Sequence, residues 1–252
     1  MKKITTFLIL IVSVLGMAQG ETLFSKATTA YNEGKYEEAI ESYLKIEEDG
    51  KHSVSVYFNL GNSYYKLNQV ASSIYYYEKA LLLQPKNAEV RNNLVYAQNM
   101  TLDAIEEMPK TSFSKMYKST TGLLSFDQWA YVGVLCLLLF VMLYIAFYYV
   151  RYSTQKRIAF ISSFVFLSSA ILCVVISSLT YNDFKKDQPA IVFSEESIVK
   201  SEPNSRSQET FRLHQGTKVN VLDTLNDWKK IQLIDGKTGW IISEDIKILK
   251  DF

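Results

Sequence analysis

Four polar residues are spaced so that they share one side of a predicted helix. They follow one another at intervals of three, three and one: Asn59, Asn62, Tyr65 and Lys66. Residues three or four apart lie on the same helix face. Amide and phenol groups can hydrogen-bond an extended peptide backbone without sequence preference, and a lysine can pair with a carboxylate. We therefore predict a peptide-binding groove at these residues, the alternative being that they are ordinary solvent-exposed side chains.

Two tryptophans near the C-terminus form a second candidate surface for binding a peptide. Trp228 and Trp240 stand in segments that read as short strands. An aromatic pair on neighbouring strands can line a groove for an extended peptide. The alternative is that both side chains fill the interior of their domain.

The sequence contains no pattern that is typical of catalysis or of a resident metal ion. A glycine-rich phosphate loop, HExxH and GxSxG are all missing from the sequence. Cys136 and Cys173 lie inside apolar runs, which excludes a disulfide framework or a thiolate zinc site. His52 and His214 have no ligand-like neighbours, so we expect both at the surface. We therefore expect no enzyme, no cofactor and no metal site, and the net charge of +1 does not indicate a nucleic-acid partner.

Residues 21–108 are predicted to form helical repeats with a period of 34 residues. A shift by one period superposes aromatic and turn residues, among them Tyr31 on Tyr65, Tyr43 on Tyr77 and Gly34 on Asn68. Small residues let paired helices approach closely. The second copy carries the pattern best, and Pro85 ends its second helix. The pattern resembles the tetratricopeptide repeat. A third copy keeps one helix, from Ala88 to about Glu107, which we expect to cap the array.

The resemblance implies a concave binding face that is lined by the first helix of each repeat. The repeat phase places the four polar residues, 59, 62, 65 and 66, on this face. The carboxylate clamp of related repeats needs further cations from neighbouring first helices, and Glu89 and Asn93 do not supply them. A general peptide groove is therefore expected in place of that clamp.

The first residues are typical of an export signal that is removed. Met1-Lys2-Lys3 is basic, Phe7–Leu15 is apolar, and small residues follow. The nine residues of this segment span only about 14 Å as a helix, which is too short for a bilayer core of about 30 Å. We predict a signal peptide at residues 1–18 that is cleaved after Ala18, with Gly20 as the alternative.

Two long uncharged segments predict a transmembrane hairpin. Residues 129–150 and 158–180 contain no charged side chain, and each is long enough to span about 33 Å as a helix. The linkers are residues 109–128 and 181–189, and the loop is residues 151–157. Ser125 and Gln128 are spaced as a capping box before the first span. Ser169, Cys173 and Ser177 form a stripe of small residues that we expect to pack against the first span.

Basic residues flank both ends of this predicted hairpin, so their distribution does not decide its orientation. The loop carries Arg151, Lys156 and Arg157, while the other side carries Lys115, Lys118, Lys185 and Lys186. The signal peptide indicates that the repeats are exported, and two crossings then return the chain to the same side. We predict a multi-pass protein of the bacterial inner membrane with both polar domains in the periplasm.

Residues 190–250 are predicted to form five short strands. Thr217–Val221 alternates, Trp228 precedes Ile231, and Asp235-Gly236 is a strong hairpin signal before Gly239-Trp240. These residues resemble the bacterial SH3 domain, which implies a small barrel. Ile242 and Ile246 stand at or near the positions where proline-binding SH3 domains have a proline and aromatics, so the resemblance does not extend to proline-helix recognition.

The sequence thus predicts a multidomain membrane protein: an all-α superhelix of tetratricopeptide repeats, a two-helix transmembrane hairpin and an all-β SH3-like barrel. This order of segments resembles the BatE-like proteins of the Bat aerotolerance operon. The resemblance implies a non-enzymatic scaffold in the lipid bilayer, with von Willebrand A-type Bat membrane proteins and a MoxR-type ATPase complex as partners. The alternative is a cell-wall protein whose SH3-like domain binds or senses peptidoglycan.

Overall fold

The computed structural model describes residues 22–106, 108–109 and 111–250, so the predicted signal peptide lies outside the described residues. The chain forms two compact units. One unit joins the N-terminal helices to the chain from Gln188 onward, and the other is Met108–Asp187. The N-terminal helices are α1 (residues 22–32), α2 (Tyr36–Glu48), α3 (Val54–Lys66), α4 (Val70–Leu83) and α5 (Ala88–Gln98).

The helical core depends on a close approach between α3 and α4. A Cβ atom on Gly61 would lie 2.5 Å from the ring of Tyr77, so only glycine fits there. The Ser73 hydroxyl donates a 2.9 Å hydrogen bond to the Gly61 carbonyl oxygen, which fixes the same contact. Tyr57 and Leu60 are fully buried beside it. The predicted role of small residues between paired helices is therefore confirmed.

A buried ion pair ties the first repeat to the second. The Lys79 ammonium lies 2.8 Å from a Glu47 carboxylate oxygen, and the lysine side chain is only 3% exposed. The Tyr76 hydroxyl donates a 3.1 Å hydrogen bond to the other oxygen of Glu47. The ammonium also lies 4.9 Å from the centre of the Tyr57 ring. These contacts offset the cost of removing the two charges from water.

Helix α5, the predicted capping helix, is shorter than the sequence predicts. It begins after Asn87, whose side chain accepts hydrogen bonds from the backbone of Glu89 and Val90. It ends at Gln98 and not near Glu107, because the Thr101 hydroxyl and backbone N–H both bond back to the Gln98 carbonyl oxygen. Residues 99–106 then run without regular structure. We call residues 99–106 the connecting segment.

The second unit contains α6 (Ser112–Thr121), α7 (Phe126–Tyr149) and α8 (Ser153–Lys186). The predicted capping box of Ser125 and Gln128 is present at the start of α7. By length and composition, α7 and α8 are long and apolar enough to cross a membrane. Both helices extend beyond the apolar segments 129–150 and 158–180 at one or both ends, because no proline or glycine stops them there.

Small residues of α8 meet α7, as the sequence predicts. Cys173 is buried, and a Cβ on Gly133 would lie 3.4 Å from its Cβ. The Ser177 hydroxyl donates a 2.8 Å hydrogen bond to the Phe126 carbonyl oxygen. Ser169 differs, because its hydroxyl bonds to the Val165 carbonyl of its own helix.

The C-terminal region is an antiparallel sheet of seven strands, where five were expected. The strands are β1 (Pro189–Val192), β2 (Glu196–Lys200), β3 (Glu209–His214), β4 (Lys218–Leu225), β5 (Trp228–Gln232), β6 (Thr238–Ile242) and β7 (Ile246–Ile248). Their order in the sheet is β3-β2-β6-β5-β4-β1-β7. The Asp235-Gly236 turn joins β5 to β6, with Gly236 at a φ of +88°. The core includes Val199, Ile231 and Ile241, which are fully buried.

Replacing Gly61 by alanine tests the close approach of α3 and α4. The added methyl must displace the buried Tyr77 ring, so we expect a loss of about 1–3 kcal/mol in the free energy of unfolding. Urea denaturation of the detergent-solubilised chain measures the change. Ser55→Ala, at an exposed position of the same helix, is the control and should be nearly neutral. A neutral Gly61→Ala would contradict the packing described above.

Candidate functional site

A cavity of about 250 Å³ opens on the helical repeats. It is lined by nine residues from α1, α3, α4 and α5, and most of them are aromatic or amide side chains: Tyr31, Phe58, Asn62, Tyr65, Lys66, Tyr77, Glu89, Asn93 and Tyr96. Three of the four predicted groove residues are therefore brought together, namely Asn62, Tyr65 and Lys66. Whether they bind a peptide stays a prediction.

The floor of the cavity is a small hydrogen-bonded network centred on Asn62. Its side-chain oxygen accepts a 2.6 Å bond from the Tyr77 hydroxyl and a 2.8 Å bond from the Asn93 amide. These two bonds fix the orientation of the Asn62 amide. Within the described residues no hydrogen bond engages its amide nitrogen, so two N–H donors remain for a ligand.

Two tyrosines that line the cavity, Tyr31 and Tyr77, stay neutral at physiological pH because their pKa values are raised. Burial raises the pKa of Tyr31, and the neighbouring Tyr36 and Tyr43 raise it further. Burial also raises the pKa of Tyr77, and this outweighs the hydrogen bonds from its neighbours. The phenols therefore act as hydrogen-bond donors and acceptors, with apolar ring faces beside them.

Asn59 does not belong to this cavity, although the repeat phase places it on the same face. Its amide nitrogen donates a 2.9 Å hydrogen bond to the Tyr43 hydroxyl, which lies 3.0 Å from the Thr28 hydroxyl. This bond holds α2 against α3, so the side chain is part of the repeat interior. The prediction that Asn59 is placed to meet a ligand is not supported by its surroundings.

Three lining residues that are not among the predicted groove residues also follow the 34-residue period. Tyr31 stands one repeat before Tyr65, Asn93 one repeat after Asn59, and Tyr96 one repeat after Asn62. Tyr96 is 62% exposed, so its ring is presented to solvent at the rim.

The charges that line the cavity are of opposite sign, from Lys66 and Glu89. An acidic ligand would meet one attractive and one repulsive group. The cavity is thus suited to a neutral, extended peptide with apolar or amide side chains, and not to a carboxylate clamp.

Trp228 and Trp240 lie on the outer face of the sheet. Their strands bury the residues of opposite parity, Ile231 in β5 and Ile241 in β6, and neither tryptophan belongs to the core. Trp240 is paired with Lys230 on one side and Lys200 on the other. The interpretation that the two rings fill the domain interior is therefore wrong, and both rings are half-buried on an accessible face.

The connecting segment joins the helical repeats to the sheet through Asp103. One carboxylate oxygen accepts a 2.7 Å bond from the His214 backbone N–H and a 2.5 Å bond from the Thr217 hydroxyl. The other lies 2.7 Å from Nδ1 of the His214 ring. Burial by itself raises the pKa of Asp103, but these hydrogen bonds outweigh burial and hold that pKa below its ordinary value.

The expectation that His214 is an ordinary surface residue is therefore wrong. Its partner is 111 positions away in the sequence, and no local pattern indicates that distance. His52 is exposed as expected, with Nδ1 2.5 Å from the Tyr57 hydroxyl.

Helix α4 meets the sheet directly beside this contact. The Lys218 ammonium lies 2.7 Å from a Glu78 carboxylate oxygen. The Tyr75 hydroxyl donates a 3.3 Å hydrogen bond to the Ile248 carbonyl, and its ring packs edge-on against Phe193 at 5.6 Å. A Cβ atom on Gly216 would lie 2.8 Å from the Thr101 side chain, so glycine permits the close approach of the connecting segment to the sheet. Glycine also permits the φ of +88° at this position.

A larger recess of about 460 Å³ lies between the connecting segment and the sheet. Two of its carboxylates are already paired, Asp103 with His214 and Thr217, and Asp235 with Lys237 at 2.9 Å. The recess therefore offers fewer available polar groups than its size suggests, and we regard the smaller cavity as the candidate site.

Replacing Asp103 by asparagine tests the contact between repeats and sheet. Hydrogen bonds to a charged group are stronger than neutral ones, so we expect a loss of about 2 kcal/mol in the free energy of unfolding at neutral pH. A carboxyl with a lowered pKa stabilises the fold above its ordinary value of 3.8, and this stability is lost as the pH falls through the lowered pKa.

The difference between wild type and Asp103→Asn in urea denaturation should therefore shrink as the pH falls below about 3.8. Asp49→Asn, at the exposed C-cap position that follows α2, is the control and should unfold like wild type. A difference that stays constant down to acid pH would show that the Asp103 charge does not hold this contact.

Comparison with known families assigns three segments of the chain. Tetratricopeptide repeat models match residues 20–48 and 54–87, and a bacterial SH3 domain model matches residues 196–247. No curated protein matches the chain. The predictions of tetratricopeptide repeats and of a bacterial SH3 domain are thus confirmed, and domains of these kinds indicate interaction with proteins or with the cell wall.

Proposed function

We propose that this chain is a non-enzymatic membrane scaffold that binds a protein partner in the cavity of its tetratricopeptide repeats. The observation that carries the proposal is a preorganised cavity of aromatic and amide groups in repeats that are packed against a bacterial SH3 domain. Binding in a rigid cavity loses less conformational entropy than binding that must first order the receptor. The paired helices α7 and α8 anchor this binding unit in a bilayer.

The ligand that fits the cavity is an extended, uncharged peptide segment. The Asn62 amide nitrogen would donate to a backbone carbonyl, and the phenols of Tyr31 and Tyr65 would pack against side chains. Lys66 and Glu89 would select against ligands with a strong net charge of either sign. No catalytic step is needed for this function.

The contact between repeats and sheet supports a single compartment for both. A packed unit cannot have its halves on opposite sides of a membrane, so the chain between Asp103 and His214 must cross an even number of times. Helices α7 and α8 supply two crossings. Together with the predicted signal peptide, this supports a location of both domains on the periplasmic side of the inner membrane.

The resemblance to BatE-like proteins extends the proposal to a particular protein complex. In that setting the chain would scaffold a Bat-type aerotolerance complex that acts in oxidative stress. The periplasmic parts of von Willebrand A-type Bat membrane proteins would be its partners, and a MoxR-type ATPase would act on the cytoplasmic side.

Reporter fusions test the topology. Alkaline phosphatase, which is active only after export, should be active when fused after residue 107 and after residue 252. A fusion after Arg151, between α7 and α8, is the control and should be inactive. A cytoplasmic reporter that is active at residue 107 or 252 would contradict the topology.

Photo-crosslinking in native membranes tests the cavity. A photoreactive residue in place of Tyr65 should form an adduct with a discrete protein partner, and one in place of Lys45, which is exposed on α2, should not. Adding Lys66→Ala and Tyr96→Ala, both at exposed rim positions, should reduce this adduct about tenfold, because the lost contacts contribute on the order of 1–2 kcal/mol. An adduct that is unaffected by the rim changes would exclude the cavity as the binding site.

The second candidate is a cell-wall function, which the outward position of Trp240 between Lys200 and Lys230 favours. The indole face suits a sugar or peptide, and the lysines suit the carboxylates of peptidoglycan stems. On this hypothesis purified sacculi retain the detergent-solubilised full chain, and Trp240→Ala abolishes retention. Ile234→Ala, an exposed aliphatic position, is the control. Absence of retention would exclude this candidate.

A further inference from the structure

One end of the sheet carries an exposed apolar cluster that the sequence analysis did not identify. Leu225, Trp228 and Ile242 are directly paired neighbours across β4, β5 and β6. Leu225 is 50% exposed and Ile242 is 41% exposed, and the Trp228 ring lies between them. Leu222, at the bulge of β4, adds a side chain that is 48% exposed. We call these four residues the apolar tip.

The chain reaches the sheet from the side of the apolar tip. Strand β1 is antiparallel to β4, with Pro189 opposite Asn220 and Ile191 opposite Lys218. The residues before Pro189 therefore lie toward the end of β4 that carries Leu225. These preceding residues come directly from α8, which ends at Lys186.

The helical repeats contact the opposite end of the sheet. Their contacts to His214, Thr217 and Lys218 lie at the last residue of β3, the turn after it and the first residue of β4. The sheet thus has a polarity, because one end holds the repeats and the other carries both the apolar tip and the chain that arrives from α8.

We propose that the apolar tip inserts into the interface of the bilayer that α7 and α8 span. This inference rests on the proposed membrane anchoring. Tryptophan is enriched at the boundary between lipid headgroups and hydrocarbon, because it has an apolar ring and a polar N–H. Leucine and isoleucine beside it gain from the same transfer out of water.

The charges beside the apolar tip favour the apolar boundary itself over anionic headgroups. Lys229 and Lys230 are each paired across the ladder with residues of β4, and Lys230 faces Asp223. Asp227 lies in the turn at the end of the hairpin. Two lysines and two aspartates therefore balance, and exposed Glu244, two residues after the end of β6, adds one negative charge. Insertion therefore depends on the hydrophobic effect and gains nothing from anionic lipid.

The chain lengths are compatible with this contact. Helix α8 continues for six residues beyond residue 180, or about 9 Å. The three steps from Lys186 to Pro189 add at most about 11 Å. Strand β4 continues five residues from Asn220, which lies opposite Pro189, to Leu225 at the apolar tip, or about 17 Å. This distance is close to the distance from residue 180 to Pro189, so the apolar tip can return to the depth of the interface.

Spin-label depth measurements on the full chain in phospholipid vesicles test this inference. Cys136 and Cys173 are first replaced by alanine, and a single cysteine for a nitroxide label is then introduced by Leu225→Cys. The label should collide readily with oxygen, which concentrates in lipid, and be shielded from a water-soluble nickel chelate. Ile234→Cys, at an exposed aliphatic position in the turn between β5 and β6, at the far end of the sheet, is the matched control and should show the reverse. Val141→Cys, within α7, is the reference for a lipid-buried label.

The three labels separate the possible outcomes. A lipid-like label at 225 with a water-like label at 234 supports the proposal. Water-like labels at both 225 and 234, with a lipid-like label at 141, would overturn it and leave the membrane anchor intact. A water-like label at 141 would overturn the anchor as well. A label at 225 that is shielded from both reagents would also overturn it, since a second protein chain would then cover the apolar tip.

Discussion

The carboxylate of Asp103 lies where the helical repeats and the sheet meet, and much of the architecture depends on the contact it makes. Its three hydrogen bonds go to a backbone N–H, a hydroxyl and an imidazole of one turn, so losing the carboxylate would leave several partly buried donors without an acceptor. The neighbouring Glu78–Lys218 pair and the edge-on packing of Tyr75 against Phe193 add contacts that are individually weak. Together these contacts join the helical repeats and the sheet into one packed unit. Both parts of that unit must lie in one compartment.

The candidate cavity depends on a second constraint, which lies within the repeats. Gly61 lets α3 and α4 approach until the Tyr77 ring lies against the backbone, and this position brings the Tyr77 hydroxyl to Asn62. The same bond orients the Asn62 amide toward α5, where Asn93 also bonds to it. The packing of the core and the polarity of the cavity are therefore set by one contact, so a change in the core is expected to alter recognition as well as stability.

The features that the sequence predicts well are local or periodic. The 34-residue period places α1 to α5, the turn glycine and asparagine at Gly34 and Asn68, and the close contact at Gly61. The missed features depend on contacts that are distant in sequence. Asp103 in the connecting segment meets His214, which lies 111 residues further along the chain. Five strands were predicted where seven form; β1 is buried along its whole length and β7 has only three residues, so neither shows a clear alternation.

The polarity of the sheet gives the apolar tip an orienting role and not an anchoring one. Burying three or four exposed aliphatic and aromatic side chains contributes on the order of a few kcal/mol, which would hold a free protein on a bilayer only weakly. On the proposed anchoring, α7 and α8 remove that limitation, because they keep the domain at a high effective concentration next to the lipid. A few kcal/mol is then enough to favour one orientation of the domain by about a hundredfold or more. Since the repeats contact the opposite end of the sheet, that orientation would direct the tetratricopeptide cavity away from the lipid, where a protein partner can reach it.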